Sequence, residues 1–208
     1  MVTKSHHENP DRNPGVINKG KLAILEYLFD NLFEKQYFRK ICKETGLNPS
    51  IVARHLDALT REGILQKEEK DSNSYYSYSR SDPVVYSIMS FLCYRKLGRL
   101  ESHRRRAVTQ FAGDLRGSSL FILLFGSTAG NRQHEGSDLD ILVCTRRRED
   151  VNVMDTSRYE AVHGVRINPV VVPLEEFRKG GDKIKHIMMT SYCVSGFDTY
   201  YGEVYGSN

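Results

Sequence analysis

"LLFGSTAGNRQHEGSDLDILV", residues 123–143, decides how this chain is read. An apolar run of strand length ends in a Gly-Ser step, Gly126 and Ser127, and a polar loop follows. A second apolar run then opens with Asp138 and Asp140, separated by Leu139. Residues two apart on a strand point to the same face, so these carboxylates project together. Carboxylates held that way suit a divalent cation such as Mg²⁺, which prefers oxygen ligands and bridges phosphates. A glycine at position 126 lets a phosphate approach the backbone, and Ser127 and the amides after it offer donors if they open a helix. The competing reading is an ordinary polar loop whose aspartates begin a strand and cap a turn. An Asp-x-Asp alone favours that reading; strand and Gly-Ser before it and an apolar strand after it favour the phosphate and metal site. Three other motifs are excluded. No lysine follows Gly130 as a P-loop needs, the serine follows Gly126 directly rather than at nucleophile-elbow spacing, and the two aspartates give too few oxygens for a calcium loop.

Outward from this stretch, "LFILLF" (120–125) and "LDILVC" (139–144) are continuous apolar runs of strand length. "YEAVHGVRINPVVV" (159–172) reads as two strands, 159–162 and 165–172, joined at His163-Gly164. Pro173 precedes helical material at 174–194, and "GFDTYYGEVY" (196–205) is expected to add a short edge strand. The count gives a small α/β domain of about ninety residues.

Upstream, residues 1–19 are polar and read as a flexible tail, in which His6 and His7 carry no expected role. Leu22, Leu25, Leu28, Phe29 and Leu32 then repeat at helical steps. A second helix, about 38–45, stops at Gly46, a good C-terminal cap. In "LNPSIVARHLDALTREGIL" (47–65), Asn48 is a favourable N-cap and Pro49 fits the first turn. Val52, Leu56 and Leu59 form its buried stripe, while Ser50, Arg54, Asp57 and Arg61 face outward. "LQKEEKDSNSYYSYS" (65–79) reads as strand, polar turn over 71–74 and returning strand, with Tyr75, Tyr76 and Tyr78 packing the hairpin. Three helices and a hairpin in this order are the winged helix-turn-helix plan, a domain at 20–81. The outward Ser50, Arg54 and Arg61 and the wing lysines Lys67 and Lys70 are the candidate contacts to duplex DNA. Asp82-Pro83 start further helix, and 82–116 read as a linking helix with a break near Gly98. Its basic run "SHRRRAV" (102–108) reads as a solvated face. His134 and His163 sit in turns, where solvation explains them.

The stretch "FGSTAGNRQHEGSDLDILV" resembles the signature of the DNA polymerase β-like nucleotidyltransferases, in particular the minimal type, over about 117–208. With the winged-helix half, the layout is similar to winged-helix/nucleotidyltransferase fusions known from archaea. The resemblance implies an α+β chain: a winged helix, a linking helix, and a small α/β domain with a mixed sheet. It implies that Gly126 and Ser127 bind NTP phosphates and that Asp138 and Asp140 bind Mg²⁺, in a two-metal scheme, as the catalytic pair. It further implies transfer of a nucleoside monophosphate from an NTP to an unidentified protein or nucleic-acid acceptor, coupled to DNA binding and transcription regulation. The family often reads Ala-Arg-Gly after Gly-Ser; here Ala129, Gly130 and Asn131 follow, and Arg132 is the candidate substitute. The family's third acid, on a later strand, has no counterpart, because "RINPVVV" offers Arg166 and Asn168. An amide ligates a divalent ion more weakly than a carboxylate and is no base at neutral pH. The rival expectation is therefore a DNA-binding regulator whose second domain binds or senses nucleotide without catalysis.

The totals fit either reading. A chain of 208 residues, 39% hydrophobic and 27% charged, has the composition of a globular protein of one large or two modest domains. The net charge of +4 permits a polyanionic partner without demanding one. No apolar run approaches the ~20 residues of a membrane span, and the N-terminal segment lacks the apolar core of a secretory signal. Cys42, Cys93, Cys144 and Cys193 are widely spaced and read as free thiols of a reducing cytoplasm. A homodimer is compatible with all of this.

Overall fold

The computed structural model describes residues 17–80, 82–126, 129, 137–151 and 155–205, and its first helix is capped by Asn18. The Asn18 side chain accepts a hydrogen bond from the amide of Lys21 in this helix, α1 (Lys19–Asp30). Ile24, Leu25, Leu28 and Phe29 bury one face of that helix. A two-residue strand absent from the sequence reading, β1 (Gln36–Tyr37), leads into α2 (Phe38–Thr45), which ends on Gly46 at φ 65°. In α3 (Pro49–Arg61) Asn48 accepts from the Ser50 amide and Pro49 opens the first turn, as its spacing predicts. Val52, Leu56 and Leu59 are buried, each stabilising the helix–helix contact by roughly 1.5–3 kcal/mol.

The hairpin of β2 (Leu65–Lys70) and β3 (Asn73–Tyr78) completes a three-stranded sheet in the order β1-β3-β2. The turn is tighter than the sequence suggests. Lys70 pairs with Asn73, which leaves Asp71 and Ser72 as a two-residue loop with φ of 49° and 62°. Two positive φ values match the right-handed twist of the strands. Tyr76 and Tyr78 are buried, Tyr78 donating its hydroxyl to the Leu25 carbonyl at 2.7 Å, while Tyr75 packs edge-on against Tyr37.

Two compact units divide the chain between Asp82 and Pro83. The stretch expected as one linking helix is two helices of the second unit, α4 (Pro83–Gly98) and α5 (Ser102–Asp114), with the break falling after Gly98. The four-stranded sheet of this unit has the order β6-β5-β4-β7. In it β4 (Phe121–Phe125) lies antiparallel to β5 (Leu139–Thr145) and to β7 (Tyr192–Ser195), while β5 and β6 (Ile167–Pro173) are parallel. The sheet is therefore mixed, as expected.

Two elements differ from the sequence reading. Residues 159–162, expected as a strand, belong to α6 (Ser157–His163). Asp155 accepts from the Ser157 amide at its start, and Gly164 closes it at φ 67°. Parallel neighbours such as β5 and β6 need a crossover, and a helix supplies it. After α7 (Leu174–Lys179) and α8 (Asp182–Thr190), the edge strand is β7, and 196–205 form α9 (Phe197–Tyr205) rather than a strand. Tyr200 and Tyr201 of α9 are buried with Phe121 and Phe177 in an aromatic cluster. The four cysteines are free, and burial pushes the Cys93 thiol up to about 11 and the Cys144 thiol up to about 12. Neither is a thiolate nucleophile at neutral pH.

The first unit carries a pH-sensitive contact. His55 lies on the inner side of α3, 7% exposed, against Gly20 of α1. A Cβ at Gly20 would meet its Nε2 at 2.6 Å. Burial first, then the charges of Arg54 and Lys21, hold this imidazole below its ordinary 6.5. As pH falls, the unfolded chain takes up the proton first, so stability present above about 6.5 is lost as pH drops through the folded value. We expect the first unit to melt at lower temperature at about pH 5 than at about pH 7.5, and His55→Gln to flatten that dependence. Equal pH dependence in the variant would assign the effect to other groups.

Candidate functional site

The ends of β4, β5 and β6 bring three side chains and a glycine together. Register places Phe125 opposite Asp140 on one side of β5 and Asn168 opposite Asp140 on the other. Gly126 follows Phe125 directly, at φ 78°. A Cβ there would stand 2.4 Å from Asp140 Oδ2, so both the backbone angle and the closeness of the carboxylate call for glycine. Asp138 lies one residue before β5, and the Asn168 Nδ2 reaches both acids: it donates to Asp138 Oδ2 at 3.0 Å and lies 3.5 Å from Asp140 Oδ1. The shared donor places the two carboxylates on one side of the strand, as their spacing predicts. Both are half-buried, and Asn168 is exposed.

This donor set is two hard carboxylates and one amide. Among the described residues no group of three or more His, Cys, Asp and Glu gathers to hold a metal. The arrangement fits a single divalent ion: two carboxylate ligands, with the amide oxygen of Asn168 available if the amide turns over. Among the described residues it does not supply the third charge that would hold a second ion strongly. Ser127, Arg132 and His134 lie outside the described residues, as do His6 and His7. His163 is not simply solvated, for its Nε2 shares a 2.8 Å hydrogen bond with Gln110 Oε1 at the end of α6.

The sequence reading misplaced one residue near this site. Arg104, assigned to a solvated basic face, is buried in α5, and its Nη1 donates to the Ser137 carbonyl at 2.8 Å. The signal was present in the sequence. Arg104, Ala107, Val108 and Phe111 follow helical spacing and share the buried face.

The DNA candidates stand on separate elements of the first unit. Ser50, Arg54 and Arg61 are exposed on α3, with Ile51 and Asp57 on the same outer surface. Lys67 and Lys70 are exposed on β2, but the wing is not basic. Lys67 Nζ pairs with Glu69 at 2.7 Å, and Lys35 pairs with Glu68. Hydrogen bonds from Lys67 and Ser74 hold Glu69 below the usual carboxylate range, and one from Lys35 does the same for Glu68. Both glutamates stay ionised at neutral pH and oppose the lysines beside them.

Residues 18–67 match the model of the bacterial regulatory protein, arsR family, and residues 106–191 match that of the nucleotidyltransferase domain. The chain fuses an ArsR-family helix-turn-helix to a nucleotidyltransferase domain. The first match runs from α1 into the wing and takes in Ser50, Arg54 and Arg61. The second contains Gly126, Asp138, Asp140 and Asn168 and begins two residues after Arg104. No curated protein and no solved structure matches the chain. No helix among the described residues is long and apolar enough to cross a membrane.

Within the nucleotidyltransferase domain, Gly126→Ala tests the apposition directly. A β-carbon at a positive φ, pressed on Asp140, is expected to cost on the order of 1–3 kcal/mol of stability. It should also displace the carboxylate, so calorimetry on folded protein should show weakened binding of Mg²⁺·ATP. Unchanged melting and unchanged binding would mean that the loop absorbs the β-carbon freely.

Proposed function

We propose that the chain is a DNA-binding regulator whose nucleotidyltransferase domain binds an NTP with Mg²⁺ and transfers its nucleoside monophosphate at a much reduced rate. The observation that carries this reading is the amide of Asn168 reaching both Asp138 and Asp140 where the family places an acid. Gly126 gives a phosphate close access to the backbone, and the two carboxylates would hold the metal on the triphosphate. Bound Mg²⁺ would supply charge neutralisation at the phosphates. The chain's own contribution is to orient that complex through Asp138 and Asp140. An amide at position 168 neither accepts the acceptor's proton nor anchors a second ion. General-base assistance alone is typically worth ~10²- to 10⁴-fold.

Labelled NTP with Mg²⁺ tests both halves. The wild type should retain NTP, Asp138→Asn with Asp140→Asn should abolish retention, and transfer should stay near background. Asn168→Asp, nearly isosteric and anionic, should raise transfer when an acceptor is supplied. Brisk wild-type transfer unaffected by Asn168→Ala would instead identify an active transferase with its third ligand elsewhere.

The DNA half of the proposal rests on α3, with Arg54 and Arg61 as phosphate or base contacts and the wing contributing little. Affinity for duplex DNA should fall steeply with salt, because neutralised phosphates release counterions. Arg54→Ala should weaken binding further. Glu68→Gln with Glu69→Gln frees Lys35 and the wing's Lys67 from their partners, so it should strengthen binding and steepen the salt slope by up to about 2. A slope that does not move would show that the wing stays off the phosphates even when its charge is released. Adding Mg²⁺·ATP to the DNA titration reads the regulation itself, and unchanged DNA affinity would refute it.

A further inference from the structure

Asp138 sits between two fixed points of the backbone. The residue before it, Ser137, has its carbonyl held by Arg104 Nη1 at 2.8 Å. The residue after it, Leu139, donates its amide to the Arg166 carbonyl at 2.8 Å. The second anchor is ordinary sheet pairing, while the first comes from a different element and a charged side chain. Arg104 occupies an inner position of α5, 4% exposed, in line with Ala107, Val108 and Phe111. An apolar side chain would fill such a position at no desolvation cost, and a guanidinium there is expensive unless its donors are used. One of those donors, Nη1, is used on the last carbonyl before the acid pair.

We propose that Arg104 is a positioning residue for the nucleotide site: it clamps the Ser137 carbonyl so that Asp138 stands beside Asp140 and Asn168, ready for a metal–triphosphate. This rests on the nucleotide-binding reading above. The guanidinium is planar and always charged, which suits a fixed, directional bond from a buried helix face to a backbone carbonyl. Through that bond its positive charge is held against the residue next to Asp138, at a site that gathers two carboxylates and would receive a triphosphate. Arg104 precedes the segment matched by the nucleotidyltransferase family, residues 106–191. The clamp thus joins a residue just before the matched stretch to Ser137 within it.

The test uses the full chain, calorimetry with Mg²⁺ and ATP below the melting temperature of every variant, and amide exchange at Leu139. Arg104→Met removes charge and donors at similar length. It is expected to weaken Mg²⁺·ATP binding about tenfold or more and to speed Leu139 exchange. Arg104→Lys keeps the charge but loses the planar fork, and should fall between Met and wild type. Tyr159→Phe separates stability from positioning. That hydroxyl bonds Asp114 Oδ2 at 2.7 Å, so its loss should lower the melting temperature and leave ATP affinity intact.

A folded Arg104→Met protein with wild-type affinity would overturn the proposal. If Arg104→Met does not fold, Arg104→Lys decides: wild-type affinity together with lost Leu139 protection would show that the clamp does not serve binding. If the wild type retains no Mg²⁺·ATP and Asp138→Asn with Asp140→Asn behaves identically, the nucleotide reading itself fails and this proposal with it.

Discussion

Strand β5 is the constraint on which the second unit depends. It pairs antiparallel with β4 on one edge and parallel with β6 on the other, and its residues from Ile141 to Thr145 are buried. A strand buried on both faces cannot slip by one residue without reversing which side chains meet each layer. That fixed register sets Phe125, and hence Gly126, beside Asp140, and it sets Asn168 across from the same carboxylate. The described part of the site is therefore a consequence of strand register, read at one end of the sheet.

Charge explains why this constellation holds together as it stands. Two carboxylates on one side of a strand end repel each other, and something must offset that repulsion. The Asn168 amide does so with donors and no charge. A carboxylate in its place would gather three negative groups at one strand end, an arrangement that demands cations to be stable. An amide thus trades affinity for a second metal against stability of the metal-free site. The buried guanidinium of Arg104, on α5, adds a positive group bonded to the carbonyl of Ser137, which leads into the site.

Much of this was legible in the sequence, and the failures share a physical cause. The winged-helix order, the Asn48 cap, the Gly46 stop and the break after Gly98 come from local signals: cap residues, glycine and helical spacing. Asp138 and Asp140 were picked out by their spacing, Gly126 by its place at the end of an apolar run, and Asn168 by the resemblance, which puts an acid on its strand. What failed were short segments whose state is set by tertiary partners. Residues 159–162 carry too few apolar positions to separate strand from helix, and the need for a parallel crossover made them α6. Tyr192–Ser195 became the edge strand because it pairs with β4, while the tyrosines of α9 closed over Phe121 instead. Arg104 was misread because a basic triplet suggests a solvated face, although the spacing from Arg104 to Phe111 already placed it with the core.

The two families joined in this chain constrain each other through thermodynamics rather than through any particular contact. If nucleotide alters affinity for DNA by some factor, DNA must alter affinity for nucleotide by the same factor. Such reciprocity governs equilibrium binding and is lost when bound nucleotide is consumed faster than it dissociates. An amide in place of the third acid keeps the proposed site on the binding side of that boundary, because it removes the base and the second metal anchor while leaving the carboxylate pair. On this reading Asn168 is what allows a nucleotidyltransferase domain to act as a ligand-binding domain. On the same reading, an acid at 168 would shift the domain toward turnover, so that it would report flux instead of concentration.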